Sequence, residues 1–375
     1  GADDGIGIAA QLAILASNSI EHGPIECLFT VDEETGLTGA FEMKPDFFNS
    51  KILINLDSED EGELFIGCAG GMDTAVTFAY ETEKVPSEFQ AFKVSITGLK
   101  GGHSGDEIDK GLGNSIKVLN RFLWKGANKY DFRISNIDGG NLRNAIPREA
   151  FATFVVHKED VASMKQLFND YKSDIIGELV AIEPNIKIVL DDAEIPQWVI
   201  DEPTQFDLLN SLYACPHGVI AMSNQIPGLV ETSTNLASIK FIQDNQILVT
   251  TSQRSSIDSA KVDIGNMVES VFRMANANVV RSGGYPGWAP NTNSEILTIT
   301  KESYIKLFGV EPVVRAIHAG LECGLFLEKY PQLDMISFGP TIKGAHSPDE
   351  RLDIETTDKF WKLLLDVLKK IPKNK

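Results

Sequence analysis

The chain has 375 residues, 43% of them hydrophobic, enough to bury the cores of about two ordinary domains. Acidic residues outnumber basic ones 53 to 34, for a net charge of −19, and no basic cluster stands out, which argues against a nucleic-acid partner. No apolar run reaches the ~20 residues that span a bilayer, no signal pattern opens the chain, and four cysteines without CxxC spacing suit reduced thiols in the cytoplasm.

Taken in order, GIGIAAQLAILAS (5–17) has helical spacing, PIECLFTVDEETG (24–36) reads as a strand and its loop, and KILINLDSED (51–60) repeats that pattern. Such apolar runs suit a sheet covered on both faces. The glycine-rich GCAGG at 67–71 is a hinge candidate, after which the texture changes. Strands read from FQAFKVSITGL, EAFATFVVHK, NIKIVLDDAEI and NQILVTTSQ are interleaved with helices read from 114–130, 158–180, 205–214 and 258–275. After SGGYPGWAPN (282–291), helices at 294–309, 319–330 and 356–371 and a strand at DMISFGP resume the first texture. The pattern predicts an α/β protein: a three-layer αβα domain in two parts (1–71 and 284–375), interrupted by an α+β domain (72–283).

Acidic residues recur at equivalent places: Asp3 before the first helix, Glu33 and Glu34 in TVDEETG, and Asp57 in INLDSE. One such acid is ordinarily a turn residue or helix cap, and a run like DEE is ordinarily solvated surface. Three acids at the carboxyl edge of one sheet, however, would repel one another unless a cation neutralised them. His346 in FGPTIKGAHSPDE falls beyond another strand and adds a nitrogen donor, a mixture that suits zinc. Adjacent glutamates divide labour, since one can bind metal while the other takes a proton from water that attacks an amide carbonyl. That chemistry is metal-assisted hydrolysis.

The stretches GADDGIGIA, FTVDEETGLTGA, LINLDSED, GLKGGHSGDEID, NLRNAIPREA, HAGLECG and GAHSPDE resemble, in order, the motifs of the co-catalytic zinc peptidase family that includes peptidase T, carboxypeptidase G and carnosinase, and within it the aminoacyl-histidine dipeptidases. The resemblance implies two zinc ions bridged by Asp3, with Glu34 and His346 completing one site, Asp57 serving the other, and Glu33 as general base. Asp4 then remains a helix-start acid. The resemblance also implies that the inserted domain is the family's lid. In it His103 stabilises the tetrahedral intermediate and Asn144 contacts substrate. The substrate would be a small dipeptide of the Xaa-His, carnosine-like kind, and a homodimer is compatible with such a lid.

Arg254, at the end of an apolar strand, is a candidate clamp for a substrate carboxylate, with a surface ion pair as the plain alternative. Arg143 is a second such candidate. Glu322 in HAGLECG is a candidate anchor for the substrate amine, or simply a helix-start acid. His103 alone would read as a structural loop histidine. GGHSG is not a nucleophile elbow, because Ser104 is followed directly by Gly105. The family's His-x-Asp motif has no counterpart before Asp3. The expectation is therefore one complete zinc site, a weaker second one, and poor dipeptide hydrolysis by this chain alone. A deacylase or tripeptidase on the same site, or an inactive metal-binding fragment, is the alternative.

Overall fold

The computed structural model describes residues 1–345 and 349–372, with the backbone alone described at Glu34 and Thr35. It divides into two compact units, one of residues 1–70, 223–229 and 285–375, the other of residues 71–222 and 230–284.

The first unit is built on a four-stranded sheet in the order Ile52–Asn55, Asp334–Ser337, Glu63–Cys68, Val313–Ile317. Ile52–Asn55 runs parallel to Asp334–Ser337, and Val313–Ile317 parallel to Glu63–Cys68, while the two pairs meet antiparallel through Ser337 and Phe65. Successive side chains leave a strand on opposite faces. Accordingly Ile52, Ile54 and Ile336 face one apolar cluster, together with Ile14 and residues of the helices Glu295–Phe308 and Ile354–Lys370. Leu53 and Met335 face another, with Phe48 and Leu325 and Phe326 of the helix Glu322–Lys329. Helices therefore cover both faces, which makes this unit a three-layer α/β sandwich.

The second unit holds a nine-stranded sheet whose main path runs Lys187–Asp192, Phe89–Thr97, Ala150–His157, Phe132–Gly139, Val230–Ile242, Gln246–Ser255, Gly70–Ala79, Asn278–Arg281. In FQAFKVSIT, Phe92, Val94 and Ile96 point into the main core while Lys93 stays exposed. The helices Ser115–Ala127, Val161–Leu179, Glu202–Ala214 and Asp258–Met274 all contribute to that same core, so they share one face of the sheet, as an α+β arrangement requires. Several helix starts are fixed by side-chain caps. Asn114 accepts from the backbone of Ile116 and Lys117, Asp201 from Thr204, Ser294 from Leu297 and Asp353 from Thr356.

One expected strand is absent. Residues 24–31 form no ladder among the described residues, and Phe29 and Val31 are exposed. A strand is made by its partner, and among the described residues Ile52–Asn55, the terminal strand of the sheet, pairs with Asp334–Ser337 alone, so residues 24–31 have no ladder. All four cysteines are free thiols, and among the described residues no helix is long and apolar enough to cross a membrane.

Asp366 ties two helices of the first unit together, accepting from Lys306 Nζ at 2.8 Å and forming an ion pair with Lys370 Nζ at 2.9 Å. Burial would raise its carboxyl, but hydrogen bonds from Lys306, Lys370 and Ser303 outweigh it and bring the pKa down to about 2. A carboxylate depressed by folding stabilises above its unfolded pKa, and that contribution fades as the pH falls toward the folded value. Asp366→Asn is therefore expected to cost about 1–2 kcal/mol at pH 7, discounted for the exposure of Lys306, and close to nothing near pH 2. Denaturant midpoints of the two proteins at both pH values check this.

Candidate active site

The acids gather in the first unit. Asp3 and Asp4 have non-helical backbone angles, so the helical run proper follows them. Asp4 turns back to accept from the Gly7 amide at 2.8 Å, which is the work of a helix cap. Asp57 leaves the strand Ile52–Asn55 at its carboxyl end. Its amide donates to Asn55 Oδ1 at 3.2 Å, and Asn55 Oδ1 also accepts from the Ser337 hydroxyl at 2.6 Å. The loops that follow these two parallel strands therefore start side by side. A Cβ on Gly339 would stand 1.8 Å from the carbonyl oxygen of Ser58, so only glycine allows the second loop so close to the first.

Glu33 opens a four-residue helix, Glu33–Gly36, bracketed by Asp32 and Leu37, both in the left-handed region at φ 58° and 57°. Thr38 Oγ1 donates to Asp32 Oδ2 at 2.5 Å, and the Gly39 amide to the Val31 carbonyl at 2.9 Å. This short hairpin of turns holds Glu33 without a preceding strand. A Cβ at Gly39 would lie 2.6 Å from Val31 N and 2.9 Å from Val31 O, both backbone atoms that must then move. Since displacements of about 1 Å at a reacting group can cost ~100-fold, Gly39→Ala is expected to lower kcat at least ~10-fold. Thermal unfolding, run beside the kinetics, should move far less; an unchanged kcat would detach this turn from the chemistry.

Asp3, Asp4, Glu33, Asp57 and Glu322 line one cavity of about 520 Å³. Burial first, then the charges of Asp4, Glu33 and Asp3 and a hydrogen bond with Asp3, push the Asp57 carboxyl up to about 9. Burial also lifts Asp4 to about 7, against the hydrogen bond from Gly7 and with the charges of Asp3 and Glu33. Like charges crowded in a buried site favour the protonated forms unless a cation is there to neutralise them. The donors are hard carboxylate oxygens, and their crowding fits a divalent cation. Among the described residues no three His, Cys, Asp or Glu side chains are gathered as a complete metal site. Two of the expected ligands, His346 and the Glu34 side chain, lie outside the described residues.

Glu322, at the start of the helix Glu322–Lys329, is 8% exposed and accepts from Thr30 Oγ1 at 3.0 Å through Oε2. Its Oε1 is buried with no hydrogen-bond partner among the described residues. Burial raises its carboxyl, with the Thr30 hydrogen bond pulling the other way. A buried carboxylate oxygen left unpaired costs stability unless a ligand satisfies it. Phe29, Phe47, Phe48 and Phe326 line the same cavity, and Phe47 is 66% exposed. Thr30 and these phenylalanines were not singled out in the sequence; an FF pair in a polar loop, DFFNS, was the available signal.

The remaining candidates belong to the second unit. His103 pairs with Ala145 across a two-residue ladder, and its Nδ1 lies 3.1 Å from Asp106 Oδ2. The Ser104 amide donates to the Asn144 carbonyl at 2.8 Å, which joins the His103 and Asn144 loops, while the Asn144 side chain is exposed. Arg254 is 7% exposed and lies opposite Ser233 in the sheet, so it is buried rather than on the surface. Ser233 and Asn235 share a face, and the Asn235 side chain donates to the Ala145 carbonyl at 2.8 Å. Arg254 is therefore on the face of the sheet to which the His103 and Asn144 loops are tied. Arg143 is exposed and paired with Asp73 at 2.5 Å.

Over residues 1–370 the sequence matches the description "Peptidase family M20/M25/M40". The "Cytosol non-specific dipeptidase" of Escherichia coli (strain K12) is 44% identical over 372 residues, which is 99% of this chain and 76% of that protein. The crystal structure of aminoacylhistidine dipeptidase from Vibrio alginolyticus matches with a TM-score of 0.95 at 44% identity, covering 100% of this chain and 76% of that one.

Proposed function

The chain belongs to peptidase family M20/M25/M40, for which a metal cofactor is implied, and on that premise we propose that it is a zinc-dependent dipeptidase acting on Xaa-His and related dipeptides in the cytoplasm. The observation that supports this reading best is the sharing of one cavity by Asp3, Glu33, Asp57 and the half-satisfied Glu322. A cavity of about 520 Å³ suits a small peptide rather than a protein chain.

In this reading Asp3, Glu34, Asp57 and His346 would hold two zinc ions. The chemistry such ions supply is Lewis-acid polarisation of the scissile carbonyl. Glu33 takes a proton from the attacking water and returns it to the leaving amine, a transfer for which its place at the cavity wall is suited. Glu322 Oε1 accepts from the free ammonium of the substrate, which satisfies the buried oxygen. His103, Asn144 and Arg254 of the second unit contact substrate, Arg254 at the terminal carboxylate and His103 at the developing oxyanion.

The test is hydrolysis by the zinc-loaded chain of Xaa-His dipeptides, other dipeptides, tripeptides and N-acyl amino acids. Preference for free dipeptides is expected. Glu322→Gln should raise KM for them ~10-fold or more while leaving KM for an N-acetylated analogue unchanged, because only the former carries the ammonium. Faster turnover of N-acyl amino acids would turn the reading toward a deacylase, faster turnover of tripeptides toward a tripeptidase, and no turnover with bound zinc toward a metal-binding module.

A further inference from the structure

We propose, on the reading of His103 given above, that the buried carboxylate of Glu183 is a positioning residue, which closes the neck of the loop 100–113 and so fixes where His103 stands. Glu183 is 0% exposed. Its Oε2 accepts from the Lys100 amide at 2.8 Å and its Oε1 from the Gly113 amide at 2.9 Å. Lys100 and Gly113 are the two ends of the loop that carries His103, so one side chain gathers both. Among the described residues no backbone hydrogen bond joins those ends to each other. The loop's own ladder, Gly102 and His103 with Ile146 and Ala145, runs to a different segment.

A carboxylate is an expensive group to bury, and an apolar side chain of the same size would serve stability as well or better. What the carboxylate adds is geometry. Its two oxygens, each taking one amide, set the separation of the loop ends, whereas an apolar contact would let them slide. Glu183 itself stands on firm ground just beyond the helix Val161–Leu179, where its amide donates to the Leu179 carbonyl at 2.7 Å.

The rest of the loop is built to pass that constraint on to His103. Leu99, at the entry, is buried in the main core, while Ile108 packs with Ile146 and Val230 in a small cluster of its own, against which Leu112 rests. Inside the loop Glu107 Oε2 accepts from the His103 amide at 2.9 Å, and Lys110 Nζ donates to Glu107 Oε1 at 3.1 Å. The hydrogen bond from the His103 amide, followed by that from Lys110, holds the Glu107 carboxyl below its usual range, so this inner acceptor stays ionised. Neck, core and interior thus converge on one residue, as a preorganised group requires.

Glu183→Gln in the zinc-loaded chain tests this. Gln keeps the volume, but one of its two ends donates, so one loop amide loses its acceptor. Amide exchange in residues 100–113 is expected to quicken at least ~10-fold, while that of Phe89–Thr97 and Ala150–His157 in the main sheet stays unchanged. On dipeptides kcat should fall at least ~10-fold with KM within about twofold, and in a His103→Ala background the same substitution should cost less than about twofold more. Glu183→Asp keeps the charge but is too short to hold both amides; the same pattern is expected of it, which keeps the test open should the Gln variant fold poorly. An unchanged kcat beside quickened loop exchange would make Glu183 a clamp without a part in the reaction. Equal losses in both backgrounds, or exchange quickened throughout the sheet, would make it a general support of the fold. Either result overturns the positioning role and leaves the dipeptidase reading standing. A His103→Ala variant as active as the parent, or a parent that turns nothing over, would instead remove the reading of His103 and the positioning role with it, and loop exchange would then decide the clamp alone.

Discussion

Replacing Glu33 with Gln is expected to lower kcat on dipeptides by about 10²–10⁴-fold, the usual contribution of a positioned general base, with little change in KM or bound metal. Gln keeps the shape and reach of Glu but takes up no proton. The turn that carries residue 33 is held by backbone and side-chain contacts of its neighbours, Thr38 to Asp32 and Gly39 to Val31, so the substitution leaves its supports in place. Single-turnover rates at excess protein register even slow hydrolysis, and elemental analysis of the same samples reports the metal. A kcat loss below tenfold would remove Glu33 from the proton transfer. Parallel loss of metal would make it a ligand instead.

The helices were legible because their signals are local. Asn114, Asp201, Ser294 and Asp353 each stand immediately before a helix and cap it, and the apolar spacing behind them continues to the end of each element. Strands were legible where alternation was strong, as in FQAFKVSIT. They failed in two ways. IECLFTV has strand composition, yet pairing is a property of two segments, and no local pattern reveals that among the described residues it forms no ladder. Conversely, the thirteen-residue strand Val230–Ile242 passed unnoticed because VETSTN looks like a loop. Thr232, Ser233, Thr234 and Asn235 of that stretch are buried in the sheet, where Thr232 pairs with Ser255 and Gln253 reaches Thr234, so hydrogen bonds rather than apolar surface support their burial. The candidate site divides the same way. Asp3, Glu33 and Asp57 were visible as repeated acids, whereas the coupling of Thr30 to Glu322 joins residues 292 positions apart and depends on the fold.

The crowding of those acids sets up a trade between stability and activity that one substitution exposes. Asp57→Asn is expected to stabilise the metal-free protein while removing most of its activity. The carboxyl is pressed upward by burial and by Asp4, Glu33 and Asp3, and an amide of the same shape relieves that repulsion. A gain of about 1 kcal/mol, or roughly 2 °C in unfolding temperature after exhaustive chelation, is in proportion to relief at one functional site. With zinc restored the order should reverse. Wild-type protein gains stability as the ion binds, whereas the variant, short of one donor, binds at least ~100-fold more weakly and gains less. Asp366→Asn is the matching control, since that carboxylate is held down by two lysines and its loss should lower stability with or without zinc. If Asp57→Asn behaved like Asp366→Asn, destabilising in both states with zinc affinity intact, Asp57 would be a structural acid. Opposite signs for the two aspartates would mean that folding tolerates the repulsion at Asp57 because a cation relieves it.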